Sequence, residues 1–224
     1  MKAYLYKEFK LAMHPICYVF IALFPFMILI PSYPLAIGFI YVLTCYPILF
    51  LGANKGQQSN DLLYSTLLPI RKKDIVLGRI FTVLFMQIAF ILIMTALYPL
   101  ALLINQNAAI EKIPGLGLNG YVSILAIAIV GYAIADLIFF PIYYKHGKSI
   151  VMSTLFTIIG FVVYLSIFTI ALPYIPGFGG YVTLLCDSGL GVQFAFLGGA
   201  ILLSALAHFL VFKISSKRLE QVDF

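Results

Sequence analysis

Six long apolar runs, parted by short gaps that carry nearly all the charge, constrain this chain more than any motif in it. A helix needs about 20 residues to cross roughly 30 Å of hydrocarbon. Runs of that order cover roughly 15–32, 34–53, 75–104, 120–143, 150–173 and 190–212. Only Pro31-Ser32-Tyr33-Pro34 parts the first two, so a tight helical hairpin is expected there. Pro25, Pro47 and Pro99 fall inside runs. Each would cost about 3 kcal/mol in a soluble helix. In a bundle, neighbouring helices satisfy the freed carbonyls, so kinks are expected at these prolines and not ends. The expected fold is all-α: one polytopic membrane domain over 1–224 with six transmembrane helices.

The composition leaves no soluble alternative. Of 224 residues, 63% are hydrophobic and 10% charged, and the mean hydropathy is +1.08. A soluble domain is nearer 45–50% apolar and about 25% charged. A chain this short has too much surface for its volume to hide the excess. The formal charge of +6 raises nucleic acid as a partner. That reading is rejected, because the basic residues lie in the gaps and form no single stripe. Cationic gaps suit the anionic inner leaflet of a membrane. Cys17, Cys45 and Cys186 form no CxxC pair, and the first two lie within apolar runs. They read as small buried hydrophobes, with no metal framework. The first run starts at Ile16, meets no small-residue cleavage site and leads straight into the next, so no cleavable signal peptide is expected.

Orientation follows from the basic residues, which cells retain on the cytoplasmic side. Lys2, Lys7 and Lys10 precede the first run. Lys55, Arg71, Lys72, Lys73 and Arg79 follow the second, Lys145 and Lys148 follow the fourth, and Lys213, Lys217 and Arg218 follow the sixth. Lys112 alone falls on the other side. Both termini are therefore expected in the cytoplasm. The outer segments, about 105–119 and 174–189, are rich in Gly and Pro and read either as caps or as short re-entrant pieces.

Two cytoplasmic segments carry more than topology requires. In 2–14, Leu5, Phe9 and Met13 share one helical face while Lys7, Lys10 and His14 share the opposite one, and Tyr4 and Leu11 blur the division. The segment reads as a short amphipathic helix on the inner membrane surface, or else as a basic flank of the first span. The gap 54–74 contains a second short helix. Asn60 is a good N-cap and Asp61 complements the positive helix start. Leu63 with Leu67, and Tyr64 with Leu68, pair at i, i+4. Pro69 ends the helix, since the residue before a proline leaves helical space. Leucines left on a surface loop mark a site for another protein; the alternative is a helix lying flat in the headgroups.

The stretch from Asn60 through Pro69-Ile70-Arg71-Lys72-Lys73-Asp74 to Val76 resembles the loop between spans two and three of bacterial ABC-2-type transporter permeases. More narrowly, it resembles the small permeases grouped with exporters of phenol-soluble modulins and antimicrobial peptides. Lys7-Glu8-Phe9-Lys10 resembles their N-terminal elbow helix, here 1–14. Pro141-Ile142-Tyr143-Tyr144-Lys145-His146-Gly147-Lys148 is similar to their loop between spans four and five. The resemblance implies that 54–74 holds a coupling helix that docks in a separate cytoplasmic ATP-binding subunit through Asp61, Leu62, Leu63, Tyr64, Ser65, Leu67, Leu68 and Pro69. It also implies pairing with a second permease subunit, identical or homologous, in a bacterial inner membrane. ATP and Mg would be bound by the partner ATPase, and no cofactor by this chain.

Chemistry of its own is not expected in the chain. Gly147-Lys148-Ser149 resembles the end of a phosphate loop, but Ile142 stands where that pattern needs Gly. No GxSxG, HExxH or paired carboxylates occur, so no catalytic or metal residues are assigned. Asp136 is the acidic residue expected inside a span. A mid-membrane carboxylate costs roughly 2.5–3.5 kcal/mol on insertion scales. It reads either as a pathway or gate group, or as a shallow residue paired with a basic neighbour such as Lys145. His208 reads as a helix-packing hydrogen-bonder in preference to a proton carrier, and nothing in the spacing pairs it with Asp136. The 20 Phe and 15 Tyr suit a cavity for amphipathic cargo and equally suit packing and interface belts. Two functions stay open: the membrane subunit of an ATP-driven peptide exporter, or a self-contained ion-coupled carrier or scaffold, which would want ionisable groups paired at the midplane.

Overall fold

The structure, a computed structural model, describes residues 2–12, 15–29, 70–105, 121–146, 150–167 and 189–221. Among them there is no strand. Helix α1 (Lys2–Lys7) passes into an i→i+5 turn over Glu8–Ala12. Helix α2 (Pro15–Leu23) opens on a proline, whose missing N–H is no loss in the first turn. Pro25 then denies a donor to the Ile21 carbonyl. The α-helix stops at Leu23 and the chain continues as a 3₁₀ segment, Phe24–Leu29. The kink expected at Pro25 is thus a change of helix type.

Helix α3 (Lys72–Asn105) starts where the Arg71 carbonyl accepts the N–H groups of Asp74 and Ile75, at 2.9 and 3.3 Å. It runs through Pro99 without ending, as expected. Helix α4 (Tyr121–His146) likewise continues through Pro141, into residues the sequence reading assigned to a loop. Helix α5 (Ile150–Ser166) and helix α6 (Leu190–Glu220) complete the described elements. α6 runs past the apolar stretch because Lys213, Lys217, Arg218 and Glu220 are good helix formers.

Three of these helices, α3, α4 and α6, are long and apolar enough to cross a membrane. At 1.5 Å per residue they measure about 51, 39 and 46 Å. The apolar helices over Pro15–Met27 and Ile150–Ser166 are shorter. The run 34–53, with Cys45, Pro47 and the expected hairpin turn, lies outside the described residues, as do Cys186 and the outer segments apart from Asn105 and Gly189.

Helix α4 is the centre of the bundle, with α6 and α5 packed along it, while α3 packs on Phe24–Leu29 and on α6. Ile75, Met86 and Phe90 of α3, Phe139, Phe140 and Tyr144 of α4, and Val211 and Leu219 of α6 form the shared core. Cys17 is wholly buried, as a small hydrophobe should be. The approach of α5 to α4 depends on Gly131, where an added Cβ would come within 2.9 Å of the Phe161 ring and 3.0 Å of Tyr164. Beside it the Tyr164 hydroxyl donates to the Ile127 carbonyl at 2.8 Å. Small residues let membrane helices come this close. α6, by contrast, leaves Leu202, Leu203, Leu206, Phe209 and Leu210 on the outside, a surface suited to lipid.

Candidate functional site

Polar side chains carried into an apolar bundle must find partners there, because water does not supply them. Asp136 of α4 is 0% exposed. It lies about 15 Å along the axis from His146 at the helix end. Its Oδ2 accepts a hydrogen bond from Gln87 Nε2 of α3 at 2.9 Å. The same oxygen is 2.9 Å from His208 Nε2 of α6. His208 Nδ1 lies 2.7 Å from the Ser204 carbonyl oxygen. A carbonyl only accepts, so Nδ1 carries a hydrogen and donates. Among the described residues, Asp136 Oδ1 has no hydrogen-bond partner. Three helices therefore meet on a single carboxylate oxygen.

This corrects the sequence reading in two respects. Asp136 is buried in the bundle and its basic neighbour is His208, not Lys145, which is exposed near the end of α4. Asp136 and His208, read as independent of one another, are partners across 72 positions of sequence. The sequence alone assigns no role to Gln87. An amide inside Phe85-Met86-Gln87-Ile88 was the available signal, since an unsatisfied amide there would be costly.

A second polar assembly joins the N-terminal segment to α3. Arg79 Nε and Nη2 donate to Glu8 Oε2 and Oε1, both at 3.0 Å, in a bidentate pair. The side chains are 3% and 2% exposed. Lys7 Nζ approaches Glu8 at 3.7 Å. Arg79, read as a loop cation, sits instead in the second turn of α3. Glu8 is the most buried residue described in its segment, which revises the simple two-faced reading of 2–14. Phe9 packs edge-to-face on Phe85 with centroids 5.2 Å apart, and the Phe9 carbonyl accepts the Tyr18 hydroxyl at 2.7 Å. Lys10 turns outward over the Tyr6 ring, 5.0 Å from its centroid.

Two further contacts gather the basic helix ends. Arg218 of α6 donates to the Pro141 carbonyl of α4. Lys73 of α3 lies 3.5 Å from Glu220 of α6, on the surface, where such a pair contributes about 0–1 kcal/mol. The start of α3 and the ends of α4 and α6 thus share one end of the bundle, with Glu8 attached to the first.

The residues expected to contact an ATPase, Asp61, Leu62, Leu63, Tyr64, Ser65, Leu67, Leu68 and Pro69, lie outside the described residues. Their exit is described: a bend at Ile70, then Arg71, then α3. Gln87 stands about 22 Å up that helix from Lys72. The loop and the buried cluster are therefore joined by one continuous helix.

A family model described as ABC-2 family transporter protein matches residues 4–216. No curated protein and no solved structure matches the chain. Matched over nearly its whole length, and built from long apolar helices, the chain belongs to the ABC-2 transporter family, a family of membrane transport components.

Proposed function

We propose that the chain is the permease subunit of an ATP-driven exporter that moves amphipathic or antimicrobial peptides out of a bacterial cell. The coarser part follows from the family: a membrane-spanning subunit of an ABC transporter, working with an ATP-binding subunit. The direction and the peptide cargo rest on the resemblance of 60–76 to the loops of such exporters. In this reading 54–74 holds the coupling helix, 1–14 is the elbow, a second permease completes the pathway, and six spans place both ends in the cytoplasm.

The observation that carries the reading is the continuity of α3. It begins at Lys72, directly after the loop, and runs unbroken to Asn105. A rigid helix of about 51 Å turns a displacement of the loop into movement at the far side of the membrane. The topology is supported by the gathering of Arg71, Lys73, Lys145 and Arg218 at one end of the bundle.

The test is to co-express the chain with an ATP-binding subunit from the same genome and purify the pair. Co-purification, with ATPase stimulation lost when Leu63 and Leu67 are both changed to Asp, is the expected result. Absence of a complex, or stimulation unchanged in the double variant, overturns the reading. The Asp136–His208 pair favours a second reading, an ion-coupled carrier, because it is an ionisable pair inside the membrane. Transport into liposomes driven by a proton gradient, with no ATPase present, would establish that reading instead.

A further inference from the structure

The Asp136–His208 contact cannot be drawn without a proton in it. His208 Nδ1 lies 2.7 Å from the Ser204 carbonyl oxygen and 3.4 Å from the Ser204 hydroxyl; the much shorter contact is to a group that only accepts, so Nδ1 donates. That leaves Nε2, 2.9 Å from Asp136 Oδ2, with two options. It carries a hydrogen as part of an imidazolium and donates to a carboxylate, or it is bare and accepts a hydrogen from a carboxylic acid. With no proton between them, two lone pairs would face each other and one negative charge would stay buried without compensation. With one proton the pair is neutral overall in either form. The partnerless Oδ1 favours the acid, since a bare carboxylate oxygen in hydrocarbon costs more than an acid carbonyl.

We propose that the Gln87–Asp136–His208 cluster is a proton-binding site that holds one proton between Asp136 Oδ2 and His208 Nε2 and thereby latches α6 to α4. When that proton leaves to solvent base, the only bond formed is to the acceptor, and the α4–α6 hydrogen bond is lost. Gln87 still donates to Oδ2 from α3 but carries no titrating proton itself.

The surroundings leave the pair to titrate as a unit. Facing Asp136 from α3 is Gln87, and Arg79, two turns toward the cytoplasmic end, is engaged by Glu8. On α6 the next charges are Lys213, Lys217, Arg218 and Glu220, all toward the end of the helix. α5 carries no charged residue, and its Tyr164 donates to Ile127. On α4, Tyr132 and Tyr143 share the face of Asp136 at helical spacing, and Lys145 is exposed further on. Among the described residues no other acid or base is in contact with the pair. The inference does not depend on the cargo or its direction.

The test uses the full chain in lipid nanodiscs, with protons as the only ligand varied. The wild type is followed by infrared spectroscopy in the carboxylic-acid region and by nitrogen NMR of labelled histidine. Asp136→Asn and His208→Gln assign the signals. At neutral pH either an acid carbonyl band that vanishes in Asp136→Asn, or an imidazolium resonance that vanishes in His208→Gln, supports the proposal. A neutral His208 beside an ionised Asp136 overturns it. A folded-state proton absent from the unfolded chain makes stability fall as pH rises. Accordingly, the wild-type melting temperature drops on the alkaline side as the assigned signal disappears. In Asp136→Asn the amide N–H replaces the acid hydrogen and the drop is lost. An alkaline drop of the same size in Asp136→Asn overturns the latch. The wild-type spectra decide the proton's presence even if a variant fails to fold.

Discussion

At the scale of single residues, the Glu8–Arg79 pair carries two opposite charges out of water. Both side chains are almost wholly buried and both Glu8 oxygens are used. Removing one partner strands a buried charge, which costs about 3–5 kcal/mol, whereas replacing both with apolar groups of similar volume is far milder. Glu8→Leu and Arg79→Leu are each expected to lower the detergent melting temperature sharply. Glu8→Leu combined with Arg79→Leu should recover most of the loss. Thermal unfolding of the four proteins as a double-mutant cycle checks this, and additive losses would show that the pair is not coupled. The sequence displayed both charges, but it could not place a glutamate of the first turns against an arginine 71 positions later.

At the scale of elements, glycines separate tight interfaces from open surfaces. Gly131 lies under Phe161 and Tyr164, so a branched side chain there must push α5 away from α4. Overpacking of this kind costs about 1–3 kcal/mol. Gly198 of α6 has nothing within 4 Å of an added Cβ. Alanine there removes a helix penalty of about 1 kcal/mol. Gly131→Val should therefore lower the melting temperature of the isolated chain, while Gly198→Ala leaves it unchanged or raises it. Both glycines sit in apolar runs and look alike in sequence. Only the neighbouring helix distinguishes them.

At the scale of the whole molecule, the asymmetric distribution of cations sets the expected orientation. Cys186 falls in the outer segment 174–189 of that topology and provides a natural probe. A membrane-impermeant maleimide should label the wild type on intact cells, and Cys186→Ser should remove that labelling. Conversely, Gly147→Cys in the Cys186→Ser background should react only after the membrane is opened. Labelling of Gly147→Cys on intact cells would reverse the topology. The mechanical reading belongs to this scale too. α3 links the loop at its start to Gln87, and through Asp136 and His208 to α4 and α6. In the proposed coupling, a displacement of the loop would reach a junction of three helices.

The sequence by itself determined the class of the protein: hydropathy and charge act locally and additively, so run lengths and basic gaps are enough to specify membrane helices and suggest their direction. The start of α3 and the course of α5 within its run were legible for the same reason. The resemblance of one loop was enough to anticipate the family. Partnerships across the bundle were decided only by the tertiary structure. Asp136 was legible as an intramembrane acid, but its bond to His208 depends on the rotation of α4 and α6 about their axes, which packing sets and hydropathy does not. Likewise, the run of α4 through Pro141 relies on tertiary contacts to offset a helix-breaking residue, and no local rule contains those contacts.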